Sequence, residues 1–323
     1  SEKDLPVELP REVKFGGVNP LTTNEKFVNT KCPKCKGKAR RETDTMDTFV
    51  NSSWYQLRYT DPKNNKKIFD PKKAAYWNPV DLYIGGKEHA CMHLIYTRFY
   101  TKFLRDIGLL KIDEPAIKLF NQGMLHGEDG NKMSKSLGNV IDPLTVIANY
   151  SADTLRFFIV SVAAPNSDFN WSEKGVQGSH KFVYKLLDYF GSVNVGKSSW
   201  KTESKLNKAI KLITEDIEQM RYNLAVIKLR ELLDNLEPEA SKDTLIKFLS
   251  LLHPFCPHIT EELSQKLGNK KLMLENHWPE ADESKINEEL EKQEQAVESL
   301  TADILYVTKL VKEKGGRDMK KAF

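Results

Sequence analysis

Gly127-Glu128-Asp129-Gly130-Asn131-Lys132-Met133-Ser134-Lys135-Ser136-Leu137-Gly138-Asn139 sets two lysines around a Met-Ser pair and places glycines before, within and after them. Glycine permits positive φ and close backbone approach, while Ser134, Ser136 and two ammonium groups supply donors and positive charge. A polyphosphate needs this combination. A lone Lys-x-x-Lys is ordinarily a solvated turn. The flanks argue otherwise. The apolar run Ala116-Ile117-Lys118-Leu119-Phe120 predicts a short buried strand, and Asp142-Pro143 predicts a helix N-cap followed by its first residue. A mobile cationic loop between a strand and a helix suits phosphates.

Upstream, Asp81-Leu82-Tyr83-Ile84-Gly85-Gly86-Lys87-Glu88-His89 predicts a second buried strand, a glycine turn and a helix running amphipathically to about Leu109. In such units a ligand lies beyond the carboxyl ends of the strands, where a carboxylate can accept from ribose hydroxyls. The spacing of His89 and His93 places both on one helix face. Such a pair also suits a metal, but no third ligand is near. Arg41 to Tyr55 is dense in aromatics and hydroxyls, and on its own reads as a strand and turn packing a core.

Lys132-Met133-Ser134-Lys135-Ser136 resembles the second signature of class I aminoacyl-tRNA synthetases. Phrases from Asp4-Leu5-Pro6 to Trp278-Pro279-Glu280-Ala281-Asp282 resemble the leucyl-tRNA synthetases in particular. The resemblance implies ATP, accompanied by Mg2+, as a substrate, with L-leucine and tRNA(Leu) as the others. It implies Lys132 and Lys135 as the catalytic groups, within a phosphate loop that includes Met133, Ser134 and Ser136. It assigns Gly85, Gly86, Glu88 and Gln122 to the adenosine end, and Phe49, Ser52, Tyr55, His89 and His93 to the leucine pocket. These strand ends are then expected around one crevice. Asn51 departs from the family phrase, which has aspartate there. The wording Thr48-Phe49-Val50 and Ser52-Ser53-Trp54-Tyr55 disfavours the isoleucyl, valyl and methionyl relatives.

The family pairs its lysine loop with a His-x-Gly-His motif on the first half of the nucleotide-binding fold, ahead of an inserted editing domain. This sequence has no such motif; His126-Gly127 is not it. The resemblance therefore implies the second half of a Rossmann-like parallel-sheet fold plus an antiparallel helix bundle, α/β followed by all-α. The expected division is 1–172 for the half catalytic domain, with an extended lead-in over 1–30. The anticodon-binding bundle follows over 173–282, and 283–323 forms a linker and the start of a further segment. A complementary polypeptide carrying the first half-fold is the expected partner, whether the chain is a split subunit or a cut fragment. The contrasting reading is a non-catalytic tRNA-binding or regulatory module that keeps the fold.

The remaining features bound rather than decide. With 323 residues, 40% of them hydrophobic, the chain can build two or three units, and a net charge of +4 permits a polyanionic partner without demanding one. No apolar run approaches the roughly 18 residues of a membrane span, and Ser1-Glu2-Lys3-Asp4 is no secretory signal, so the cytoplasm is the expected compartment. Cys32-Pro33-Lys34-Cys35 resembles half of a zinc knuckle, but a tetrahedral Zn2+ site needs four ligands. Cys91 and Cys256 sit in apolar helical contexts where a thiol is ordinarily a small core residue. Arg156 reads as a structural residue rather than a phosphate ligand.

Beyond residue 173, Leu206, Ile210, Ile213, Ile217 and Met220 recur at helical spacing, as do Leu224, Ile227, Leu229, Leu232 and Leu233. Another helix is expected from Lys242 to Leu252, and Ile259 to Leu267 resumes after two prolines. Glu283 to Glu298 reads as an acidic linker, and Lys312 to Lys321 as a solvated basic tail.

Overall fold

The structure is a computed structural model that describes residues 5–313. The expectations for residues 1–4 and for the basic tail beyond residue 313 lie outside the described residues. The chain forms two compact units, Ser1–Phe120 and Asn121–Phe323.

The first unit opens with α1 (Glu25–Val28) and the antiparallel pair β1 (Asn29–Lys31) and β2 (Lys38–Arg40). Helices α2 (Thr48–Ser52), α3 (Tyr55–Tyr59) and α4 (Pro71–Trp77) follow. The aromatic segment expected as a strand and turn is thus two short helices. Asp47 caps the first by accepting the Phe49 amide at 2.8 Å, a local bond that favours helix over strand. Asp70 caps α4, whose first residue is proline. Leu57, Phe69, Ala74, Leu104 and Leu110 form the core of this unit, with Trp54 packed against it.

Strand β3 (Val80–Gly86) leads through a 3-10 turn (Lys87–Cys91) into α5 (His93–Asp106) and then β4 (Ala116–Gln122), which pairs with β3. Both strands fall where the apolar runs place them, but their apolar side chains are not buried. Leu82 is 39% exposed, Ile84 50%, Ile117 64% and Leu119 51%. This two-stranded ribbon has no layer over that face among the described residues. Cys91 is likewise exposed rather than a core thiol, because it closes the 3-10 turn instead of lying inside a helix.

In the second unit, β5 (Leu125–His126) pairs in parallel with β6 (Phe169–Asn170), bracketing the lysine loop, α6 (Pro143–Tyr150) and α7 (Ala152–Val162). Gly123 sits where a Cβ would collide with the Ser167 backbone carbonyl, so only glycine lets these segments close up. Asp142, Ser151 and Ser172 cap α6, α7 and α8 (Glu173–Ser192), as their positions predict.

Helices α9 (Trp200–Glu218), α10 (Tyr222–Asn235), α11 (Lys242–Leu252) and α12 (Pro257–Lys266) complete the bundle, and β7 (Asn194–Val195) pairs in parallel with β8 (Glu239–Ala240). Its core draws on Leu186, Ile210, Ile213, Leu229, Phe248 and Leu252, together with Phe157 of α7. Burying each such side chain stabilises the fold by about 1.5–3 kcal/mol. The stretch expected as an acidic linker instead enters α13 (Glu288–Glu313). Glu, Lys and Gln are strong helix formers, so its charge does not prevent helix formation.

Candidate functional site

Two constellations stand out, one in each unit. In the first unit, Phe49 and Ser52 on α2 and Tyr55 on α3 meet His89 and His93. The two histidines do not share a helix face. His89 lies in the 3-10 turn and His93 opens α5, with Met92 at φ −126°, ψ −105° breaking the helix between them. They nevertheless converge, with rings perpendicular and centroids 6.1 Å apart. Phe49 packs edge-on to His89 at 6.0 Å and tilted against His93 at 6.3 Å.

Polar tips in this cluster bond to one another. The Ser52 hydroxyl lies 3.3 Å from His93 Nδ1, and the Tyr83 hydroxyl lies 2.7 Å from both His93 Nε2 and the Tyr55 hydroxyl. Burial, with a smaller contribution from the neighbouring His89, pulls the His93 pKa below the usual histidine value, so its ring is neutral at pH 7. Burial pushes the Tyr83 phenol up. The Nδ1 of His89 is buried without a hydrogen-bond partner. Tyr83 and Tyr96, the latter 6.0 Å from Phe49, were not expected here. A signal for Tyr83 exists in the sequence: it is the one aromatic with a polar tip in the otherwise apolar Leu82-Tyr83-Ile84.

Gly85 and Gly86 end β3, and the Glu88 carboxylate of the following turn folds back over Gly86, where any Cβ would meet it. Gln122 ends β4 with its side chain exposed.

In the second unit the lysine loop is pinned from within. Gly130, at φ +76°, turns the chain so that His126 and Lys132 form an antiparallel bridge, with the Gly127 amide donating to the Asn131 carbonyl at 2.9 Å. The Ser134 amide donates to Asn139 Oδ1 at 2.8 Å, and the Ser134 and Ser136 hydroxyls lie 2.6 Å apart. Asp129 gathers the Asn131 amide and the Asn131 and Asn139 side chains; the Asn131 bonds lead in holding its carboxyl below the usual range. Met133 packs against Val146, Leu155, Phe158, Trp171 and Val176. With Met133 turned inward, Lys132 and Lys135 stay exposed, and neither has an ion-pair partner among the described residues. Arg156 takes the structural role: its guanidinium donates to the Pro254 and Phe255 carbonyls.

Cys32 and Cys35 lie on a tight turn closed by the Lys36 amide on the Cys32 carbonyl at 2.9 Å. Hydrogen bonds from the Cys35 and Lys34 amides pull the Cys32 thiol below its usual pKa. The pair supplies two thiols where zinc needs four ligands, and no group of three or more potential metal ligands exists among the described residues. The residues present therefore do not make up a zinc site.

An aromatic and histidine cluster in the first unit and a lysine loop without an ion-pair partner among the described residues in the second are the two candidate sites of the chain. The family described as tRNA synthetases class I (I, L, M and V) matches residues 12–172, and the anticodon-binding domain of tRNA ligases matches residues 201–315. The chain belongs to the class I tRNA synthetases. Within that class, its similarity is to leucine–tRNA ligases. It is 47% identical to that of Thermosipho melanesiensis over 88% of this chain and 38% of the relative, and 44% identical to that of Thermotoga maritima over 92% and 39%. The crystallised Agrobacterium radiobacter K84 LeuRS, solved in a ternary complex with tRNA and LeuAMS, superposes with a TM-score of 0.76 at 34% identity, over 89% of this chain and 39% of that one. The fold is accordingly the expected Rossmann-like half followed by a helical anticodon-binding region. The chain spans about two fifths of the length of these relatives. No helix among the described residues is long and apolar enough to cross a membrane.

Proposed function

We propose that this chain provides the leucine pocket, the phosphate loop and the anticodon-side bundle of a cytoplasmic leucine–tRNA ligase. In the first step the leucine carboxylate attacks the α-phosphorus of ATP, brought with Mg2+; the new P–O bond gives leucyl-adenylate and pyrophosphate leaves. In the second, the terminal ribose hydroxyl of tRNA(Leu) attacks the leucyl carbonyl and AMP leaves. Catalysis of this kind is mostly positioning and stabilisation of developing charge. Lys132 and Lys135 neutralise phosphate charge, supported by Met133, Ser134 and Ser136. Gly85, Gly86, Glu88 and Gln122 serve the adenosine, and Phe49, Ser52, Tyr55, His89 and His93 wall the leucine side chain.

The observation that carries this reading is the lysine loop itself: Met133 anchors it in an apolar cluster while both ammonium groups have no ion-pair partner among the described residues. We place the division between half catalytic domain and bundle at 172/173, with 283–323 following as a separate segment. Full activity requires the region bearing the His-x-Gly-His unit, supplied by a complementary polypeptide. ATP–pyrophosphate exchange with leucine is the test, run with that region present. Leucine-dependent exchange is expected, and tRNA binding without exchange would favour a non-catalytic module.

A further inference from the structure

We infer that Tyr83 is a positioning residue of the pocket: its hydroxyl fixes the His93 ring as the Nδ1–H tautomer, so that the polar tips of Tyr55, Tyr83 and His93 are turned to one another rather than toward an apolar ligand. The inference deepens the leucine-pocket reading and rests on it for the identity of the ligand.

The direction of the hydrogen-bond chain follows from its end. The Ser52 hydroxyl lies 3.3 Å from the Phe49 backbone carbonyl, which can only accept. We assign its one proton to that carbonyl, which turns its lone pairs toward His93 Nδ1, also at 3.3 Å. Nδ1 must then carry the imidazole proton. Nε2 is left as the acceptor, and at 2.7 Å the Tyr83 hydroxyl donates to it. With its own proton committed, Tyr83 accepts from the Tyr55 hydroxyl at 2.7 Å. The chain runs Tyr55 to Tyr83 to His93 to Ser52 to Phe49; Tyr55 donates at its head, and the Tyr83 and Ser52 hydroxyls each donate once and accept once.

Which imidazole nitrogen holds the proton is set by the partner of the other nitrogen. Tyr83 is that partner. His93 is buried, so an unmatched Nε2 would have no solvent to turn to. The edges of Tyr55 and His93 are thereby occupied by each other's network, and their carbon faces, with Phe49, are what remains to meet a ligand. Polar tips already matched to one another impose no desolvation cost on an apolar side chain, and His89 Nδ1, buried without a partner, lies outside this network.

The test uses the full chain with 15N-labelled histidine, with His93 assigned by comparison with His93→Gln, at neutral pH. In the parent, the expected spectrum shows Nδ1 protonated and Nε2 bare. Tyr83→Phe should move proton density toward Nε2, while Tyr55→Phe, which keeps the Tyr83–His93 bond, should leave the His93 nitrogens as in the parent. A protonated Nε2 in the parent overturns the inference, as does an unchanged spectrum in Tyr83→Phe or an equal shift in Tyr55→Phe. If Tyr83→Phe does not fold, the parent's tautomer decides alone. L-leucine titrated into the same samples should bind Tyr83→Phe about tenfold more weakly than the parent, the size of leaving one buried acceptor unpaired. Equal affinity for parent and variant would overturn the positioning role. If the tautomers behave as expected but leucine binds neither protein, the ligand reading fails and the role of Tyr83 toward His93 stands.

Discussion

The carboxylate of Asp153, on α7, receives the backbone amide of Ile259 at 2.7 Å in the first turn of α12. The same carboxylate takes the His258 amide at 3.3 Å and the His258 ring at 2.8 Å. The N-cap residue of α12, Cys256, makes no side-chain cap of its own, so Asp153 caps that helix from a distance and complements its dipole. Asp153 is 4% exposed. Asp153→Ala should destabilise the second unit by about 2 kcal/mol, since the α12 amides lose their acceptor in a buried setting. Asp153→Asn, which keeps an acceptor oxygen, should lose less. Urea denaturation followed by helical circular dichroism measures both, and equal losses would refute a capping role.

Lys135→Ala should lower leucine-dependent ATP–pyrophosphate exchange far more than it lowers tRNA binding. Removing one preorganised contact to developing charge costs about 3 kcal/mol, roughly a hundredfold in rate, by analogy with deleted oxyanion donors. Folding should be unaffected, because Lys135 is exposed and the loop is held by Met133 and the Ser134–Asn139 bond. Exchange within tenfold of the parent would remove Lys135 from the phosphate site.

Acid should open the first unit through His93. Its pKa is lower folded than unfolded, so between the two values the unfolded chain binds more protons and stability rises with pH. The contribution is present above the unfolded value of about 6.5 and is lost as pH falls from there toward the folded pKa. Tyrosine fluorescence from Tyr55 and Tyr83 should report this loss. His93→Gln should flatten the pH dependence in that window, and an unchanged slope would assign the effect elsewhere.

Local signals in the chain proved readable where one residue type has one physical use. Asp142, Ser151 and Ser172 cap the helices they precede, and the three-and-four spacing from Leu206 to Ile217 lies along α9. The lysine loop falls between a strand and a helix as its flanks require, although the nearer strand is β5 rather than the Ala116 run. What was not legible depended on context. The i, i+4 spacing of His89 and His93 presumes an unbroken helix, and Met92 breaks it. The acidic stretch after Glu283 hides a helix, because charge says nothing against helix formation. Tyr83 needed partners from other elements before its hydroxyl had a meaning, and no spacing rule links residues 55, 83 and 93.

Accuracy should be limited by the pocket's apolar character. An apolar wall separates side chains differing by one methylene by only about 1–3 kcal/mol, or 10–200-fold. With Phe49, Tyr55, His89 and His93 as the proposed wall, norvaline, valine and isoleucine should all support measurable exchange at high concentration. Complete exclusion of all three would point to a shape constraint beyond these residues.

The last prediction concerns the uncovered face of β3 and β4. Apolar strand residues as open as Ile84 and Ile117 are rarely left to water, and a two-stranded ribbon also presents unpaired edges. Helix α5 adds Ile95, Phe99 and Phe103, exposed at four-residue steps along one stripe. Both features want a covering layer, and the proposed phosphate site would take its second side from a unit bearing His-x-Gly-His. A fragment carrying that first half-fold should therefore bind this chain, raise its solubility and restore leucine-dependent exchange together. Ile117→Lys should weaken the association while leaving the bundle intact, because the bundle has a core of its own in Ile210, Ile213, Leu229 and Phe248. Exchange and sedimentation are measured with and without the fragment. Full exchange by the chain alone would show that the two-sided phosphate site is misjudged, and association that survives Ile117→Lys unchanged would move the contact off this face.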